Sequence, residues 1–398
     1  MLIGLVGAPS KGKSSFFKAA TMADVAIASY PFTTISPNHG VGFVRVECVE
    51  RELKVKCNPR VGVCRGGIRF VPVDLIDVAG LVPGAHEGKG LGNQFLSDLN
   101  QADVLIQIID CSGTTDEKGE SATGYDPAKE IKFLEEEIEL WFAGILRKGW
   151  EKFARVVQGK GEEIEVALAK QLSALKVTEN LVAEGIRELK LDRERPEGWT
   201  GEQLIELARI FRKATKPIVI ACNKIDLPGA ADNFKLLKEQ FPGRILVACS
   251  AQAEIALKEA DKKGLIDYRA GDKSFEVKQP EKISRIQMQG LDFIRRNVLE
   301  VFGSTGIQEC LDKAVFELLK YSAVFPGGIS KLADSQGRVL PDCFLFSPGS
   351  NALDFANKIH GDLAKHFLYA MNVKIRQRVG KDYILRNRDV IEIVSAAK

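Results

Sequence analysis

Residues 2–14, Leu-Ile-Gly-Leu-Val-Gly-Ala-Pro-Ser-Lys-Gly-Lys-Ser, join a short apolar run to the pattern G-x-x-x-x-G-K-[ST]. Average residue frequencies produce that pattern by chance in only about one chain in a hundred of this length. Here it follows a predicted strand and precedes a predicted helix at residues 14–21, which is the context that a phosphate-binding loop requires. The stretch therefore predicts a strand, a phosphate loop and a helix rather than a plain glycine turn.

The chemistry of such a loop follows from its backbone. The N–H groups of the loop and the N-terminus of the next helix surround the phosphates. The Lys13 ammonium is predicted to reach the β and γ oxygens, and the Ser14 hydroxyl is predicted to bind Mg²⁺. The predicted nucleotide contacts in this loop are Gly7, Pro9, Ser10, Lys11, Gly12, Lys13, Ser14 and Ser15.

Apolar runs similar to residues 2–6 recur along the chain, with helix-like stretches such as 14–21 and 91–102 between several of them. Strands that alternate with helices predict an α/β domain with a mostly parallel sheet. Ligands of such sheets bind at the carboxyl ends of the strands. The further runs are residues 73–76, 104–109, 217–221 and 245–248.

The first of these runs ends in Asp77-Val-Ala-Gly80. Asp77 is predicted to hold Mg²⁺ through water, and the Gly80 N–H is predicted to contact the γ-phosphate. These two residues would complete the phosphate half of a nucleotide site.

Two later motifs predict which base is bound. In Asn223-Lys224-Ile-Asp226, the Asp226 carboxylate can accept from both N1–H and the N2 amine of guanine, whereas adenine offers no such pair of donors. A site built around that carboxylate rejects the wrong base, because the buried group would be left unpaired. Ser250-Ala251 follows the last run and is predicted to present a backbone N–H to guanine O6. Four motifs in this order predict a GTP site.

The interval between Asp77 and Asn223 is longer than two strand–helix–strand steps of about 30 residues each. The additional residues lie mainly at 126–200 and are predicted to be helical. Thr200 and Gln203 predict a capping box at the start of the next helix. The predicted domains are a first nucleotide-binding part at 1–125, a helical insertion at 126–200, a second nucleotide-binding part with a helical extension at 201–330, and a small α+β domain at 335–398.

Composition limits the remaining possibilities. The chain has 398 residues and a formal charge of +3, which is too small to predict nucleic-acid binding without local clustering. No apolar run reaches the roughly 18 residues of a membrane span, and the opening residues lack a basic signal segment, so a cytoplasmic protein is expected. The eight cysteines are expected to be reduced and packed as small hydrophobes. A metal site of Cys48, Cys57 and Cys64 is not expected, because the spacing is loose and no fourth ligand is evident.

Two strings resemble the switch sequences of a known family. Residues 30–38, Tyr-Pro-Phe-Thr-Thr-Ile-Ser-Pro-Asn, and residues 77–93 are similar to switch I and switch II of the Obg/YchF branch of P-loop GTPases, in the TRAFAC class, and most closely to archaeal Obg-like proteins. The resemblance covers most of the chain, including the helical insertion. It implies that Thr34 binds Mg²⁺ and the γ-phosphate, with the adjacent Thr33 as the alternative.

The same resemblance bears on hydrolysis. Leu81 stands where Ras-like proteins carry the glutamine that orients water, so it implies slow intrinsic hydrolysis that needs a partner. His86 lies in a glycine-rich loop and is the candidate for positioning water, with an exposed loop histidine of no such role as the alternative. Many relatives have Asn where this chain has Ser10, so potassium-assisted hydrolysis is not predicted here. YchF proteins prefer ATP and have a changed base motif, whereas this chain keeps Asn223 and Asp226.

The C-terminal strings at 346–350, 353–360 and 387–393 resemble a TGS domain, a β-grasp fold of translation-linked GTPases. Basic residues cluster in this segment, and only Asp382 and Asp389 lie among them in the sequence. Together with the resemblance, the cluster predicts contact with RNA or the ribosome. The cluster consists of Lys374, Arg376, Arg378, Lys381, Arg386 and Arg388.

These observations predict a GTP-hydrolysing switch associated with translation or the ribosome. Loss of the γ-phosphate would release the two switch loops and change the affinity for the partner. Two alternatives stay open from the sequence: an ATPase of the YchF type that uses the same phosphate site, and an RNA-binding module in which the nucleotide is structural.

Overall fold

The protein is described from a computed structural model, which covers residues 1–22, 38–78 and 98–396. The chain divides into two compact units. The first contains Met1–Phe17 and Leu75–Ala253, and the second contains Lys18–Asp74 and Glu254–Lys398. The predicted domain limits along the chain stay a prediction.

The strands are short and most of them are buried on at least one face. In chain order they are β1 Leu2–Val6, β2 His39–Glu47, β3 Val63–Arg65, β4 Ile68–Asp77, β5 Val104–Asp110, β6 Ile218–Asn223, β7 Ile245–Ala248, β8 Ile266–Asp267, β9 Glu276–Val277, β10 Ser322–Pro326, β11 Phe344–Phe346, β12 Phe367–Asn372, β13 Gln377–Val379 and β14 Val390–Ser395.

The helices follow several of these strands. They are α1 Lys13–Thr21, α2 Ala128–Arg147, α3 Trp150–Lys160, α4 Ile164–Gln171, α5 Glu179–Glu188, α6 Gly201–Thr215, α7 Ala230–Gln240, α8 Ala251–Lys262, α9 Arg285–Ile294, α10 Glu300–Phe302, α11 Ile307–Asp312, α12 Ala352–Ile359 and α13 Gly361–Lys365. Two π-helical segments, Arg295–Leu299 and Lys313–Leu318, follow α9 and α11.

The first unit contains the parallel sheet that the sequence predicts. Its strands run in the order β1-β5-β6-β7, and each pair is parallel. Every residue of β5 is buried, as expected for a strand covered on both faces. The end of β4 lies beside β1, where the Val78 N–H donates to the Leu5 carbonyl at 3.1 Å. The carboxyl ends of β1, β4, β6 and β7 therefore lie at one edge of this sheet.

The helical insertion shares one hydrophobic core with this sheet. That core includes Val6 on β1 and Phe211 on α6. Trp150 and Trp199 stack with their ring centroids 5.2 Å apart, and the Trp150 indole donates to the Pro196 carbonyl at 3.0 Å. The capping box of Thr200 is confirmed. The apolar spacing from Ile131 to Leu146 predicts one long helix that ends at Gly159 and Gly161. The structure has two helices there, α2 and α3, because Gly149 between them adopts a left-handed φ of 73°.

The second unit contains a mixed sheet in the order β11-β10-β14-β12-β13, in which only β10 and β14 are parallel. Phe355 of α12 is fully buried against this sheet. The sequence predicts β11 and β14 but not β10, since a three-residue buried run beside a helix has no strand periodicity to reveal it. The sequence also predicts one helix near residues 354–364, and the structure has two helices there, α12 and α13, separated by the extended His360.

The fold class is thus confirmed: a phosphate-loop domain with a mostly parallel sheet, a helical insertion and a C-terminal α+β domain. Among the helices that the structure describes, none is both long enough and apolar enough to cross a bilayer.

Candidate functional site

The predicted phosphate loop has the backbone shape of an anion-binding turn between β1 and α1. Ser10 has a φ of 62° and Gly12 a φ of 88°, so two residues of the loop are left-handed. A Cβ at Gly7 would lie 2.5 Å from the Ile108 carbonyl oxygen, and a Cβ at Gly12 would collide with the Asn223 side-chain amide. Both glycines are therefore required by close approach of other chain segments. Pro9 and Ser10 are exposed, and Ser15 is the third residue of α1.

Lys13 and Asp77 meet at the mouth of this loop. The Lys13 ammonium forms an ion pair with the Asp77 carboxylate, and both side chains are partly exposed. Ser14 lies on the first turn of α1 with its side chain exposed. The Lys13–Asp77 ion pair lies at the N-terminus of α1, where Ser14 is the next residue, and an ammonium, a hydroxyl and a carboxylate are groups that suit a phosphate with Mg²⁺. The structure brings Lys13 and Asp77 into contact, and the role of Ser14 stays a prediction.

Asn223 connects three loops of the site. It is 3% exposed, and its Nδ2 donates to the Lys11 carbonyl at 2.9 Å. Its Oδ1 accepts the Ala251 N–H at 3.1 Å, so this predicted donor to guanine O6 already has a partner. Ser250 is buried, and its hydroxyl accepts from the Ala253 N–H at 3.2 Å at the start of α8. The phosphate loop and both base motifs are therefore one hydrogen-bonded assembly.

Lys224 and Asp226 follow Asn223 and have different surroundings. The Lys224 ammonium lies 2.8 Å from Oδ2 of the fully buried Asp110. Burial raises the pKa of Asp110, but hydrogen bonds from Lys224, Ser112 and Thr115 outweigh it and hold the pKa at about 2. The Asp226 side chain is half-buried and forms no hydrogen bond or ion pair with any residue that the structure describes. Its carboxylate is thus available to an incoming donor.

The Lys11 side chain does not point into the phosphate loop. It is fully buried, and its ammonium donates to the Thr115 carbonyl, the Thr115 hydroxyl and the Asp116 carbonyl at 2.7–2.9 Å. It also lies 2.9 Å from the Glu130 carboxylate on α2. Burial raises the pKa of Glu130 to about 7, and the nearby Lys11 charge opposes that rise. Only the backbone of Lys11 is therefore left for nucleotide contact. The sequence does not single out Glu130, because its pattern is the same as that of the other acidic residues of α2.

Several predicted residues lie outside the described ranges. Thr33 and Thr34 of switch I fall in the gap at 23–37, and Gly80, Leu81 and His86 of switch II fall in the gap at 79–97. Their assignments stay predictions.

The basic cluster of the C-terminal domain divides into two groups. Lys374 pairs with Glu52 at 2.6 Å, and Arg388 pairs with Glu47 at 2.9 Å and also with Glu52. These two side chains thus have acidic partners far away in the sequence, which the local count of Asp382 and Asp389 did not include. The remaining members, Arg376, Arg378, Lys381 and Arg386, are exposed, and Arg378 lies 4.0 Å from the ring centroid of Tyr369.

The eight cysteines are free thiols, but three of them lie close together. Cys48, Cys57 and Cys64 do not pack as separate hydrophobes but lie in one cluster, and Glu50 lies within it. Each of the four residues offers one ligand atom, and all four atoms lie within 4.8 Å of one another. Cysteine spacing alone does not reveal the fourth group, although Glu50 lies two residues after Cys48.

Comparison with known proteins adds the following matches. Residues 2–143 match the family described as a 50S ribosome-binding GTPase, residues 221–327 match an Obg-like GTPase YGR210-like, G4 motif-containing domain, and residues 336–395 match the TGS domain. An uncharacterized GTP-binding protein of Methanocaldococcus jannaschii is 46% identical over 398 residues, which is 100% of both chains.

Two further matches are more distant in sequence. The crystal structure of a GTP binding protein from Pyrococcus horikoshii OT3 is 37% identical, with a TM-score of 0.78 and coverage of 100% of both chains. The ribosome-binding ATPase YchF of Bacillus subtilis is 26% identical over 420 residues, which is 98% of this chain and 97% of that protein.

Proposed function

Because the chain belongs to the Obg-like, YchF-type family of P-loop GTPases, we propose that it binds GTP with Mg²⁺ and hydrolyses it to GDP and phosphate. The observation that carries the choice of GTP is the Asp226 carboxylate, which is half-buried and unpaired among the described residues. Asn223 fixes the position of this segment through hydrogen bonds to the Lys11 carbonyl and the Ala251 N–H. A carboxylate without a protein partner can accept two guanine donors and gives up no protein hydrogen bond to do so.

Residues at one edge of the parallel sheet form the phosphate-binding half of the site. The loop N–H groups and the N-terminus of α1 bind the phosphates, and Lys13 exchanges its Asp77 partner for a phosphate oxygen. Ser14, Asp77 and Thr34 would hold Mg²⁺, which when bound neutralises the charge that develops on the phosphates. Release of Lys13 would free the Asp77 carboxylate to help hold the metal ion.

Base recognition is tested by Asp226→Asn. The amide supplies a donor for xanthine O2, so this variant should lose GTP affinity and gain affinity for xanthosine triphosphate. Charge-assisted hydrogen bonds contribute about 1.5–3 kcal/mol each, so GTP affinity should fall by about a hundredfold or more. Asp232→Asn, an exposed acid on α7, is the matched control and should leave both affinities unchanged. Unaltered preference in Asp226→Asn would refute the assignment.

Hydrolysis is proposed to be slow in the isolated protein and faster with a partner. Leu81 offers no group to orient water, and His86 is the proposed substitute. The single-turnover rate with Mg²⁺ should fall further in Lys13→Ala, and it should fall in His86→Ala without loss of GTP affinity. A partner that supplies a water-positioning or charge-stabilising group should raise the rate. A rate that is unchanged by Lys13→Ala would show that the turnover belongs to a contaminant.

The proposed partner is the ribosome in the cytoplasm. A 50S ribosome-binding family matches residues 2–143, and the YchF relative is a ribosome-binding protein by name. The exposed residues Arg376, Arg378, Lys381 and Arg386 are proposed to contact ribosomal phosphates.

Co-sedimentation with ribosomal particles tests this partner, with GTP, GDP and no nucleotide compared in parallel. Charge reversal of Arg376 and Arg378 should weaken binding and reduce its salt dependence, whereas Lys170→Glu on α4 should not. Binding that ignores both the nucleotide and the charge reversal would contradict a ribosomal switch.

A further inference from the structure

The cysteine cluster belongs to the second unit, whereas the nucleotide motifs belong to the first. Cys48 directly follows β2, Cys64 lies in β3, and Glu50 and Cys57 belong to the loop between these strands. Cys48 and Cys57 are buried and Cys64 is partly buried, and none of the three forms a disulfide. Three thiols and one carboxylate are thus gathered by a single strand–loop–strand segment.

The spacing of the ligand atoms matches a tetrahedral metal site. Zn²⁺ binds thiolate at about 2.3 Å and carboxylate oxygen at about 2.1 Å, so tetrahedral angles place two sulfurs about 3.8 Å apart and a sulfur and an oxygen about 3.6 Å apart. The Cys48 and Cys57 sulfurs are 3.7 Å apart, and the Cys64 sulfur lies 3.6 Å from Glu50 Oε1. Both pairs therefore have the separations that a shared zinc ion requires.

Glu50 is oriented for this role by the backbone. Its Oε2 accepts the Cys57 N–H at 3.0 Å, which leaves Oε1 facing the sulfurs. A hydrogen bond to the second oxygen of a ligating carboxylate is the usual support of a metal ligand. The cluster thus contains both the ligands and the contact that orients one of them.

Arg69 supplies the charge that such a site needs. It is 1% exposed, lies 3.8 Å from the Cys57 sulfur, and has no carboxylate partner among the described residues. Its other contacts are the carbonyls of Leu340 and Pro341 at 2.9–3.1 Å. A buried guanidinium without an acid is costly, and three thiolates and a carboxylate around one divalent ion carry a net charge of −2 that would offset it.

We propose that Cys48, Glu50, Cys57 and Cys64 bind one structural Zn²⁺ ion in a closed tetrahedral site. Three thiolates and one carboxylate are soft enough to favour zinc over Mg²⁺, and they leave no coordination position for substrate. Binding releases the three thiol protons to solvent, so the affinity falls as the pH is lowered.

The site would fasten the loop that holds the start of the C-terminal domain. The Asn58 N–H donates to the Val339 carbonyl and the Arg60 N–H donates to the Pro341 carbonyl, both at 2.8 Å. Arg60 also pairs with Asp342 at 3.0 Å. Residues 339–342 fall within the match to the TGS domain, so loss of zinc should loosen the attachment of this segment within the second unit.

Metal content of the full-length protein tests the proposal directly. Protein purified without chelator should contain about one zinc per chain, and the chelated protein refilled with Co²⁺ should show the intense visible absorption of tetrahedral cobalt–thiolate coordination. Chelation should also increase amide hydrogen exchange at Asn58 and Arg60. Absence of stoichiometric zinc together with absence of the cobalt absorption, or stoichiometric iron in place of zinc, would overturn the proposal.

Variants identify the ligands and control for folding. Cys64→Ser is at a partly exposed position, and Glu50→Gln keeps the size of the side chain, so each should fold while zinc affinity falls at least about tenfold. Cys310→Ser, at a buried cysteine on α11 outside the cluster, should keep one zinc per chain. GTP affinity reports that the first unit of each variant is intact, and far-ultraviolet circular dichroism reports on folding of the whole chain. Equal zinc affinity in wild type, Cys64→Ser and Glu50→Gln would contradict the assignment.

Discussion

Replacing the buried Lys11 by Met tests the ion pair that supports the phosphate loop. Lys11 is fully buried and Glu130 is 3% exposed, and their charged groups lie 2.9 Å apart. Removal of one partner of a buried pair costs about 3–5 kcal/mol of unfolding free energy, because the other charge is left uncompensated. Lys11→Met should therefore lose about that much at alkaline pH, where Glu130 is ionised.

The loss should shrink as the pH is lowered. The pKa of Glu130 is about 7 in the folded protein, against an ordinary value of 4.5. The folded state therefore holds the proton more tightly than the unfolded state does. As a result, the unfolding free energy falls as the pH rises from 4.5 through about 7. Without Lys11 the folded pKa rises further, so the variant takes up its proton at higher pH. At about pH 5.5 the carboxyl is neutral, and only the unpaired carbonyls remain to cost about 1–3 kcal/mol.

Urea unfolding followed by tryptophan fluorescence measures both values, because the three tryptophans lie in the first unit with Lys11. Lys132→Met, at an exposed position of α2, is the control and should change stability by less than about 0.5 kcal/mol. The double variant Lys11→Met/Glu130→Gln should recover stability at alkaline pH relative to Lys11→Met. An equal loss at both pH values, or a loss below about 1 kcal/mol at about pH 8.5, would refute the reasoning.

Three further predictions concern the same unit. Gly12→Ala should lower the unfolding free energy by about 1–2 kcal/mol, and it should also weaken nucleotide binding because the new Cβ collides with Asn223. Gly161→Ala, at a left-handed position with open space around it, should lower the unfolding free energy without changing nucleotide affinity. Equal nucleotide affinity in the two variants would contradict this prediction. Asp110→Asn should lower the unfolding free energy by about 2 kcal/mol at neutral pH, because the pKa of Asp110 is about 2 in the folded protein against an ordinary value of 3.8. The stability that this carboxylate contributes is present above pH 3.8 and is lost as the pH falls through 2. Urea midpoints of wild type and variant across that range test this, and a difference between them that does not change with pH would contradict it. Thr200→Ala should lose about 1 kcal/mol through the missing cap, measured by the same unfolding assay, and no loss would mean that the capping box does not stabilise α6.

The phosphate loop and the parallel sheet were predictable from sequence because their signals are local. Residues 2–14 contain strand, turn glycines and helix start in one stretch, and Thr200 with Gln203 forms its capping box within four residues. Asn223 and Asp226 were recognisable for the same reason. Each of these features depends on neighbours in the chain rather than on packing.

Two of the contacts that the sequence did not reveal join residues far apart in the chain. The Lys11 side chain finds Glu130 across 119 positions of chain, and Arg388 finds Glu52 across 336 positions. Glu50 becomes a candidate ligand only when β2 and β3 bring the cysteines together. Gly149 separates α2 from α3. The apolar helical spacing continues on both sides of it, so the spacing alone does not predict the break.

The dissociation constants of GTP and ATP, measured on one preparation with Mg²⁺, test the central claim most directly. Two charge-assisted hydrogen bonds to the Asp226 carboxylate, at about 1.5–3 kcal/mol each, predict that GTP binds at least about a hundredfold more tightly than ATP. Equal affinities, or tighter binding of ATP, would contradict the proposed guanine site.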